Sequence, residues 1–299
     1  MTTTPHVLLD GLMFGEGPRW YNDRLWVSDM HAHRVLTVDM AGTETHIADF
    51  DDKPSGIGFL NDDTPIVVSM RKRLLMRIGA GGELSTYADL NQLPGHALND
   101  MVMDGRERAY VTNRVKRGYS PEELTLTSSS SDEGLILVEK DGSMREVAKD
   151  LHSPNGLVIT PDYATLIVAE SRGCRITAFD LQDDGSLANR RLFADTHDAH
   201  PDGIALDAEG AIWMGGAAEG VFRRILPDGR IAQEIKMPEG KWAVACALGG
   251  PDRRTLFLIT AWTTLENIAS CTDFEADKRS TSRGQVEVVE VDVPGAGWP

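Results

Sequence analysis

Four polar side chains, far apart along the chain, recur at one position of a repeated pattern: Glu16, Asn99, Asn155 and Asp202. Each stands near the start of a short β-like segment, and these segments read GEGP, NDMV, PNGL and PDGI. Two carboxylates and two carboxamides are the oxygen donors that hard and borderline divalent cations prefer. If the fold brings the four positions together, the chemistry that they support is the binding of one divalent cation.

Ordinary turn chemistry is the competing explanation for two of these segments. Pro-Asn-Gly around Asn155 and Pro-Asp-Gly around Asp202 are also good turn sequences, and neither alone would indicate a site. Glu16, between two glycines, has no special role in turns. Polar groups in a buried channel are costly unless they are paired or bind a cation, so the shared position of four such residues favours a site.

The same pattern recurs six times and indicates a closed all-β fold. Successive repeats are separated by steps of 40, 43, 56, 47 and 44 residues, measured between Glu16, Gly56, Asn99, Asn155, Asp202 and Cys246. A period of about 40–50 residues is typical of a four-stranded propeller blade. Strand-sized runs rich in β formers separate the turns, and long amphipathic helices are not evident. We therefore predict a six-bladed β-propeller with four-stranded antiparallel blades, formed by residues 1–299 as a single domain.

The two irregular parts of this repeat lie at the N-terminus and inside the longest step. Residues 7–9 form a short apolar run that we expect to complete the last blade, which would close the ring and remove open sheet edges. The longest step contains extra residues, 114–133, that end in a run of serines and acidic residues. We predict an exposed loop insertion there.

Composition excludes several classes of partner. The net charge is −16 and the pI is about 4.9, which argues against nucleic acid and anionic membranes as partners. The three cysteines are far apart, so reduced thiols in a cytoplasmic protein are expected. We expect no signal peptide and no membrane span, because no apolar run approaches about 18 residues. The expected assembly is a monomer or a homodimer.

The segments that carry the four polar residues resemble the SMP-30/gluconolactonase/regucalcin-like family of propellers. The matching stretches follow the family's order, at residues 15–20, 153–157, 201–207 and 246–252. The resemblance implies that Glu16, Asn155 and Asp202 are metal ligands and that Asn99 lies near metal and substrate. It also implies hydrolysis of sugar lactones, with Asp202 as the general base. The implied cofactor is one divalent ion, namely Ca²⁺, Zn²⁺, Mn²⁺, Mg²⁺ or Fe²⁺.

The expected reaction is metal-assisted ester hydrolysis, in which Asp202 takes a proton from the attacking water. In a second version of the reaction, His96 or His200 handles the proton instead. Both histidines lie close to a proposed site residue, and loops entering the inner strands line the channel mouth. His96, His200, Asn99 and Met101 are accordingly the candidate substrate contacts. Ordinary surface hydrogen bonding is the competing explanation for the histidines, and core packing is the competing explanation for Met101.

The substrate and the function class stay open at the level of sequence. Ala97 stands where sugar-lactonase members often carry an arginine that contacts substrate hydroxyls, so a less hydroxylated or more apolar lactone is plausible. A non-enzymatic metal-binding propeller would use the same ring, since fold does not settle function. A metal-dependent arylesterase or phosphotriesterase would differ only in pocket shape. A narrow pocket above the metal would favour an enzyme.

Overall fold

The structure, a computed structural model, describes residues 4–114, 133–271 and 274–297. Within these ranges, 24 strands form six four-stranded antiparallel sheets, and the innermost strands contact one another in cyclic order. The predicted six-bladed β-propeller is therefore confirmed. The predicted loop insertion at 114–133 lies outside the described residues, apart from Arg114 and Glu133 at its two ends.

The strands follow the chain blade by blade. The first strand is β1 (His6–Leu12), and blade 1 consists of β2 (Gly15–Tyr21), β3 (Arg24–Asp29), β4 (Arg34–Val38) and β5 (Glu44–Asp49). Blade 2 consists of β6 (Pro54–Phe59), β7 (Pro65–Ser69), β8 (Leu74–Ile78) and β9 (Leu84–Asp89). Blade 3 consists of β10 (Ala97–Met103), β11 (Ala109–Arg114), β12 (Gly134–Val138) and β13 (Met144–Ala148).

The remaining three blades repeat the arrangement. Blade 4 consists of β14 (Pro154–Ile159), β15 (Thr165–Glu170), β16 (Arg175–Leu181) and β17 (Leu187–Asp195), and blade 5 of β18 (Pro201–Leu206), β19 (Ile212–Gly216), β20 (Val221–Ile225) and β21 (Ile231–Lys236). Blade 6 contains β22 (Lys241–Gly249), β23 (Thr255–Trp262) and β24 (Arg283–Glu290). Short helices are 3₁₀ turns at Met30–Ala32 and Leu90–Gln92, and α1 (Leu265–Ser270) and α2 (Phe274–Lys278), which lie between β23 and β24.

The N-terminal strand closes the ring. β1 pairs antiparallel with β24 as the outermost strand of blade 6, with His6 opposite Val288 and Leu12 opposite Gly284. This pairing joins the two ends of the chain in one sheet and covers the edge that β24 would otherwise leave open. The prediction that an N-terminal strand completes the last blade is confirmed.

Repeated aspartate turns set the hairpins of the blades. Asp39 Oδ1 accepts hydrogen bonds from the backbone amides of Ala41 and Thr43 at 2.9 and 2.8 Å. Asp207 Oδ1 makes the same pair of contacts, with the amides of Glu209 and Ala211 at 2.9 and 3.0 Å. An aspartate that binds the amide two residues ahead stabilises a tight turn, so these aspartates help to set the hairpins between strands of a blade.

Each innermost strand is irregular at the position where the polar residues recur. The pairing register of β14 slips between Pro154 and Leu157, and the other five inner strands slip at the equivalent place. Glycine follows at four of these bulges because the next blade approaches closely. A Cβ on Gly156 would lie 2.6 Å from the backbone nitrogen of Ile204, and one on Gly203 would lie 2.3 Å from Ala245 Cβ. These distances admit only glycine.

The bulges also correct two of the six register points taken from the sequence. In blade 2 the bulge begins at Ser55, so Ser55, rather than Gly56, is equivalent to Glu16. In blade 6 the unpaired residue is Val244 rather than Cys246. The polar ring on the axis therefore has five oxygen-bearing members and not four.

Apolar side chains from neighbouring blades form the core between the sheets, and Trp213, Tyr110, Phe222 and Phe257 are among its largest fully buried members. All three cysteines are free thiols, as expected from their spacing. Among the described residues, no helix has both the length and the apolar character that crossing a membrane requires.

Replacing Gly156 by alanine tests the close approach of blades 4 and 5. The new Cβ would press on backbone atoms of Ile204 and Asp202, which cannot rotate away, and overpacking of this kind costs about 1–3 kcal/mol. We expect a clear drop in melting temperature. Gly81→Ala is the control, since this exposed glycine has no positive φ and a Cβ there meets only the flexible end of the Glu83 side chain. Equal melting temperatures for the two variants would contradict the packing argument.

Candidate metal centre

The four polar residues predicted from the sequence converge on the propeller axis. Ser55 Oγ donates to Asn99 Oδ1 at 3.4 Å, and Asn99 Nδ2 donates to Asn155 Oδ1 at 2.9 Å. Asn155 in turn hydrogen-bonds the carboxylate of Asp202, whose charge acts on Glu16. Side chains from blades 1 to 5 are thus connected around one point, as expected from their common register.

Burial and mutual repulsion raise the pKa values of the two predicted carboxylates on the axis, Glu16 and Asp202. Burial, then the charges of Asp202 and Asp100, raise the pKa of Glu16 well above its ordinary value. Burial and the charge of Asp100 raise the pKa of Asp202 to about 7, against the opposing effects of the Asn155 hydrogen bond and the Arg114 charge. Like charges held away from water favour the protonated forms. Without a compensating cation, these carboxyl groups resist ionisation at neutral pH.

A third carboxylate, Asp100, lies beside this pair and was not predicted from the sequence. It is only 6% exposed, and its backbone amide donates to Thr112 Oγ1 at 2.8 Å. Arg19 Nη2 lies 3.4 Å from Asp100 Oδ1 and donates to the carbonyl of Met101 at 2.7 Å. Burial raises the pKa of Asp100, and the Arg19 charge opposes that rise. Arg19 therefore compensates one of the three acidic groups, and within the described ranges no ion pair joins Glu16 or Asp202 to a basic side chain.

The residues present fit a divalent cation. Asp202 Oδ1 is buried and has no hydrogen-bond partner among the described residues, which is costly for an oxygen that could otherwise bind water or a cation. Glu16, Asn155 and Asp202 offer oxygen donors, the set expected from the sequence, and hard cations accept such donors. A cation there would also offset the repulsion that raises the two carboxyl pKa values.

Two serines that support the ring were also missed. Ser55 lies at the bulge of β6 and was hidden because Gly56 had been aligned at its position. Ser171 follows β15, where its hydroxyl accepts from Asn155 Nδ2 at 3.3 Å and donates to the carbonyl of Pro201 at 2.6 Å. It orients Asn155 from outside the inner strands, so no repeat position could have indicated it. The Ser-Gly pair near the start of β6 was the signal available for Ser55.

The structure separates the predicted substrate contacts from one another. Met101 is fully buried in the core, where it faces Gly58 of the next blade, so it presents no surface to a substrate. His96 is exposed at the start of β10, and its amide donates to the carbonyl of Arg114 at 2.6 Å. His200 is half-buried, and its Nδ1 lies 2.7 Å from Glu219 Oε1. That hydrogen bond raises the pKa of His200, which makes it a better proton donor than base.

A cavity lies at the other end of the channel. It has a volume of about 670 Å³, and its walls come from the carboxyl ends of the inner strands and the C-terminal segment, with Tyr21, Phe59, Ile159, Leu206 and Gly295 among the lining residues. Glu16, Asn99, Asn155 and Asp202 stand at the opposite ends of these strands. This cavity is therefore separate from the carboxylate cluster.

The ion pair between Arg19 and Asp100 provides a test of the buried charges. Arg19→Met would leave Asp100 buried without its cation, which typically costs about 3–5 kcal/mol. We expect a large loss in the free energy of unfolding, with much of it recovered in the double variant Arg19→Met/Asp100→Asn. Denaturant unfolding of the wild type, Arg19→Met, Asp100→Asn and the double variant measures the coupling energy between the two side chains. Additive effects would mean that the two side chains do not interact.

Stability of the metal-free protein should fall as pH rises from about 4 to about 7. Asp202 has a folded-state pKa of about 7, against an ordinary value of 3.8, so the folded protein binds more protons than the unfolded chain in this window and its stability declines there. Asp202→Asn should flatten the decline, as should a saturating divalent cation, whereas the exposed control Asp228→Asn should not. Thermal unfolding across this range measures the slopes. Parallel slopes for wild type and Asp202→Asn would contradict the electrostatic account.

Known proteins share both the sequence pattern and the fold. A model of the SMP-30/gluconolactonase/LRE-like region matches residues 14–262. A 6-deoxy-6-sulfogluconolactonase from Pseudomonas putida is 31% identical over 130 residues, which cover 42% of this chain and 44% of that protein's length. The aligned part thus spans less than half of that relative.

Two further matches cover most of the chain at lower identity. A regucalcin from Gallus gallus is 25% identical over 270 residues, covering 84% of each chain. A solved structure described as a calcium-binding protein, regucalcin, from Agrobacterium tumefaciens has a TM-score of 0.77 at 21% identity and covers 99% of this chain and 96% of its own. At this identity the solved structure supports the fold alone. Because the family model matches most of its length, this chain belongs to the SMP-30/gluconolactonase/LRE-like family.

Proposed function

We propose that this protein hydrolyses a lactone with the help of one divalent cation held by Glu16, Asn155 and Asp202. The observation that carries the proposal is the convergence of these three residues with Asn99 on the propeller axis, where Asp202 Oδ1 is buried and lacks a hydrogen-bond partner among the described residues. Membership of the family adds support, since relatives with lactonase names match parts of the chain.

The two carboxylates and the Asn155 carboxamide would form the cation site. A divalent cation held there supplies Lewis-acid polarisation of the ester carbonyl. The charges of Glu16 and Asp202 match a dication, and their pKa values, raised in its absence, would return toward the ionised range beside it. Ca²⁺, Zn²⁺, Mn²⁺, Mg²⁺ and Fe²⁺ all remain within the proposal, because oxygen donors accept each of them.

Asp202 and Asn99 would divide the work on the substrate. Asp202 would take the proton from the attacking water, using Oδ1, to which no hydrogen-bond donor is found in the part of the chain that the structure describes. Asn99 hydrogen-bonds Ser55 and Asn155, so its carboxamide is fixed in position. Its side chain therefore loses little conformational entropy when it orients the lactone. Of the two histidines, His200 is the stronger candidate for giving a proton to the leaving alkoxide, because its hydrogen bond to Glu219 raises its pKa.

Ala97 bears on the choice of lactone. Its small side chain leaves the site without a polar contact at that position, which suits a substrate with fewer hydroxyl groups. Arg114 lies directly across from Ala97 on β11 and is buried, and its charge acts on Asp202. A guanidinium at this place would bind an acceptor oxygen of the substrate from the neighbouring strand.

The test is hydrolysis of a panel of sugar, aliphatic and aromatic lactones by metal-stripped protein, with and without each divalent cation. We expect metal-dependent acid release that Asp202→Asn abolishes and that the surface control Asp228→Asn leaves unchanged. Asn99→Ala should lower kcat by about a hundredfold, the usual effect of losing one positioned polar contact. Metal affinity should stay nearly constant in that variant, as measured by calorimetry.

Other outcomes separate the alternatives. Turnover of aryl esters or phosphotriesters, but of no lactone, would assign the same centre to a different ester class. Tight metal binding with no hydrolysis in any of these assays would favour a non-enzymatic metal-binding propeller. A loss of metal affinity in Asn99→Ala would make Asn99 a ligand rather than a substrate contact.

A further inference from the structure

A second group of potential metal ligands lies away from the axial ligands, where blade 6 meets blade 1. His31 stands in the 3₁₀ turn after β3, Cys271 follows α1, and Asp277 is in α2. His31 and Asp277 are fully buried, and Cys271 is 6% exposed. The group therefore joins a loop of the first blade to the helical segment that precedes the last strand of the sixth.

The three side chains converge within the reach of a single ion. A ring nitrogen of His31, the sulfur of Cys271 and a carboxylate oxygen of Asp277 all lie within 4.8 Å of one another. His31 Nδ1 is 2.9 Å from Ser280 Oγ, and Phe14 stacks on the ring with centroids 5.1 Å apart. These contacts fix the ring, and Nε2 is buried with no hydrogen-bond partner in the described part of the chain.

Positive groups already lie beside Asp277. Lys53 Nζ is 2.9 Å from its Oδ1 and donates to the carbonyl of Cys271 at 3.1 Å. Arg71 Nη2 is 3.0 Å from Asp277 Oδ2, and its Nε is 2.8 Å from Asp52. Two cations thus balance two carboxylates. A dication that displaced the thiol proton would add one net positive charge. Lys53 and Arg71, whose side chains are 12% and 29% exposed, would offset it by moving their charged ends from Asp277 toward solvent.

We propose that His31, Cys271 and Asp277 form a second cation site, selective for Zn²⁺ or a similar borderline ion. Nitrogen, thiolate sulfur and carboxylate oxygen form a zinc-type donor set, unlike the all-oxygen axial set. On binding, the Cys271 thiol loses its proton to solvent, and the carboxylate exchanges the Lys53 ammonium for the metal. His33 Nε2 lies 3.4 Å from Asp277 Oδ2, where it can orient the carboxylate as a partner that does not itself bind the metal.

A metal ion at this site would link blade 1 to blade 6, where the ring closes. Its ligands come from residues near both ends of the chain, and an ion that binds only the folded state stabilises that state. No step of the proposed hydrolysis depends on this ion. The two proposals therefore stand or fall separately.

Cobalt titration of the metal-stripped protein tests the site, because a cysteine ligand gives Co²⁺ a thiolate charge-transfer absorption that oxygen ligands do not. We expect this absorption in the wild-type protein and its loss in Cys271→Ser. Cys174→Ser, at a half-buried thiol in blade 4, and Glu16→Gln, in the axial set, should retain it. Zn²⁺ should raise the melting temperature of Glu16→Gln, in which the axial set is impaired, and the double variant Glu16→Gln/Cys271→Ser should lose that rise.

A measurement on the unaltered protein guards against a variant that fails to fold. Bound Zn²⁺ should slow alkylation of Cys271 relative to Cys174, as followed by peptide mass spectrometry. The proposal is overturned if wild-type protein with reduced thiols shows no thiolate absorption, or if the absorption survives Cys271→Ser. It is also overturned if only Lys53→Met binds cobalt through sulfur, since the ammonium would then be the resident cation of this pocket.

Discussion

Repulsion among buried carboxylates on the propeller axis is the constraint on which the rest of the structure depends. Glu16, Asp100 and Asp202 come from three blades and affect one another's ionisation. Their proximity is imposed by the fold, because glycines at the bulges let the inner strands approach until a Cβ would collide with the next backbone. A charge cluster of this kind survives only if the surrounding structure is strong enough to hold it and something offsets the charge.

The chain offsets part of that charge itself. Arg19 pairs with Asp100, and the carboxamides of Asn99 and Asn155 link the remaining groups in one hydrogen-bonded series. The closed ring holds the cluster in place, because β1 and β24 join the two ends of the chain in a single sheet. Glu16 and Asp202 are compensated only in part, because their pKa values stay raised despite the Asn155 hydrogen bond and the Arg114 charge that act on Asp202. That deficit is the physical reason for placing a dication there.

Sequence reasoning found the fold and the centre of the site because both follow from repetition. Glu16, Asn99, Asn155 and Asp202 stand at equivalent places in successive blades, so the symmetry of a propeller implies their convergence. Strand closure by β1 followed from the same logic. The prediction of site residues was less accurate where the repeat is irregular. In blade 2 the sequence alignment placed Gly56, one residue after Ser55, at the position equivalent to Glu16, because the bulge shifts the strand pairing. Met101, predicted to contact substrate, is buried in the core.

Other features had no signal that a single sequence could carry. Asp100 follows Asn99 directly, but its burial beside Arg19 depends on how β2 packs on β10. Ser171 reaches Asn155 from a loop, and His31, Cys271 and Asp277 meet only because the helical segment of blade 6 folds over a turn of blade 1. Contacts between elements of different blades depend on how the blades pack, so neither residue spacing nor residue type predicts them.

The central claim is that one divalent cation offsets the charge of Glu16 and Asp202, and proton release on metal binding tests it most directly. Calorimetric titration at about pH 6, in buffers of different ionisation enthalpy, counts the protons that leave as the metal binds. The raised pKa values predict release of about one proton or more per axial ion, with a clear reduction in Asp202→Asn. Binding without proton release, or release unchanged in that variant, would contradict the claim.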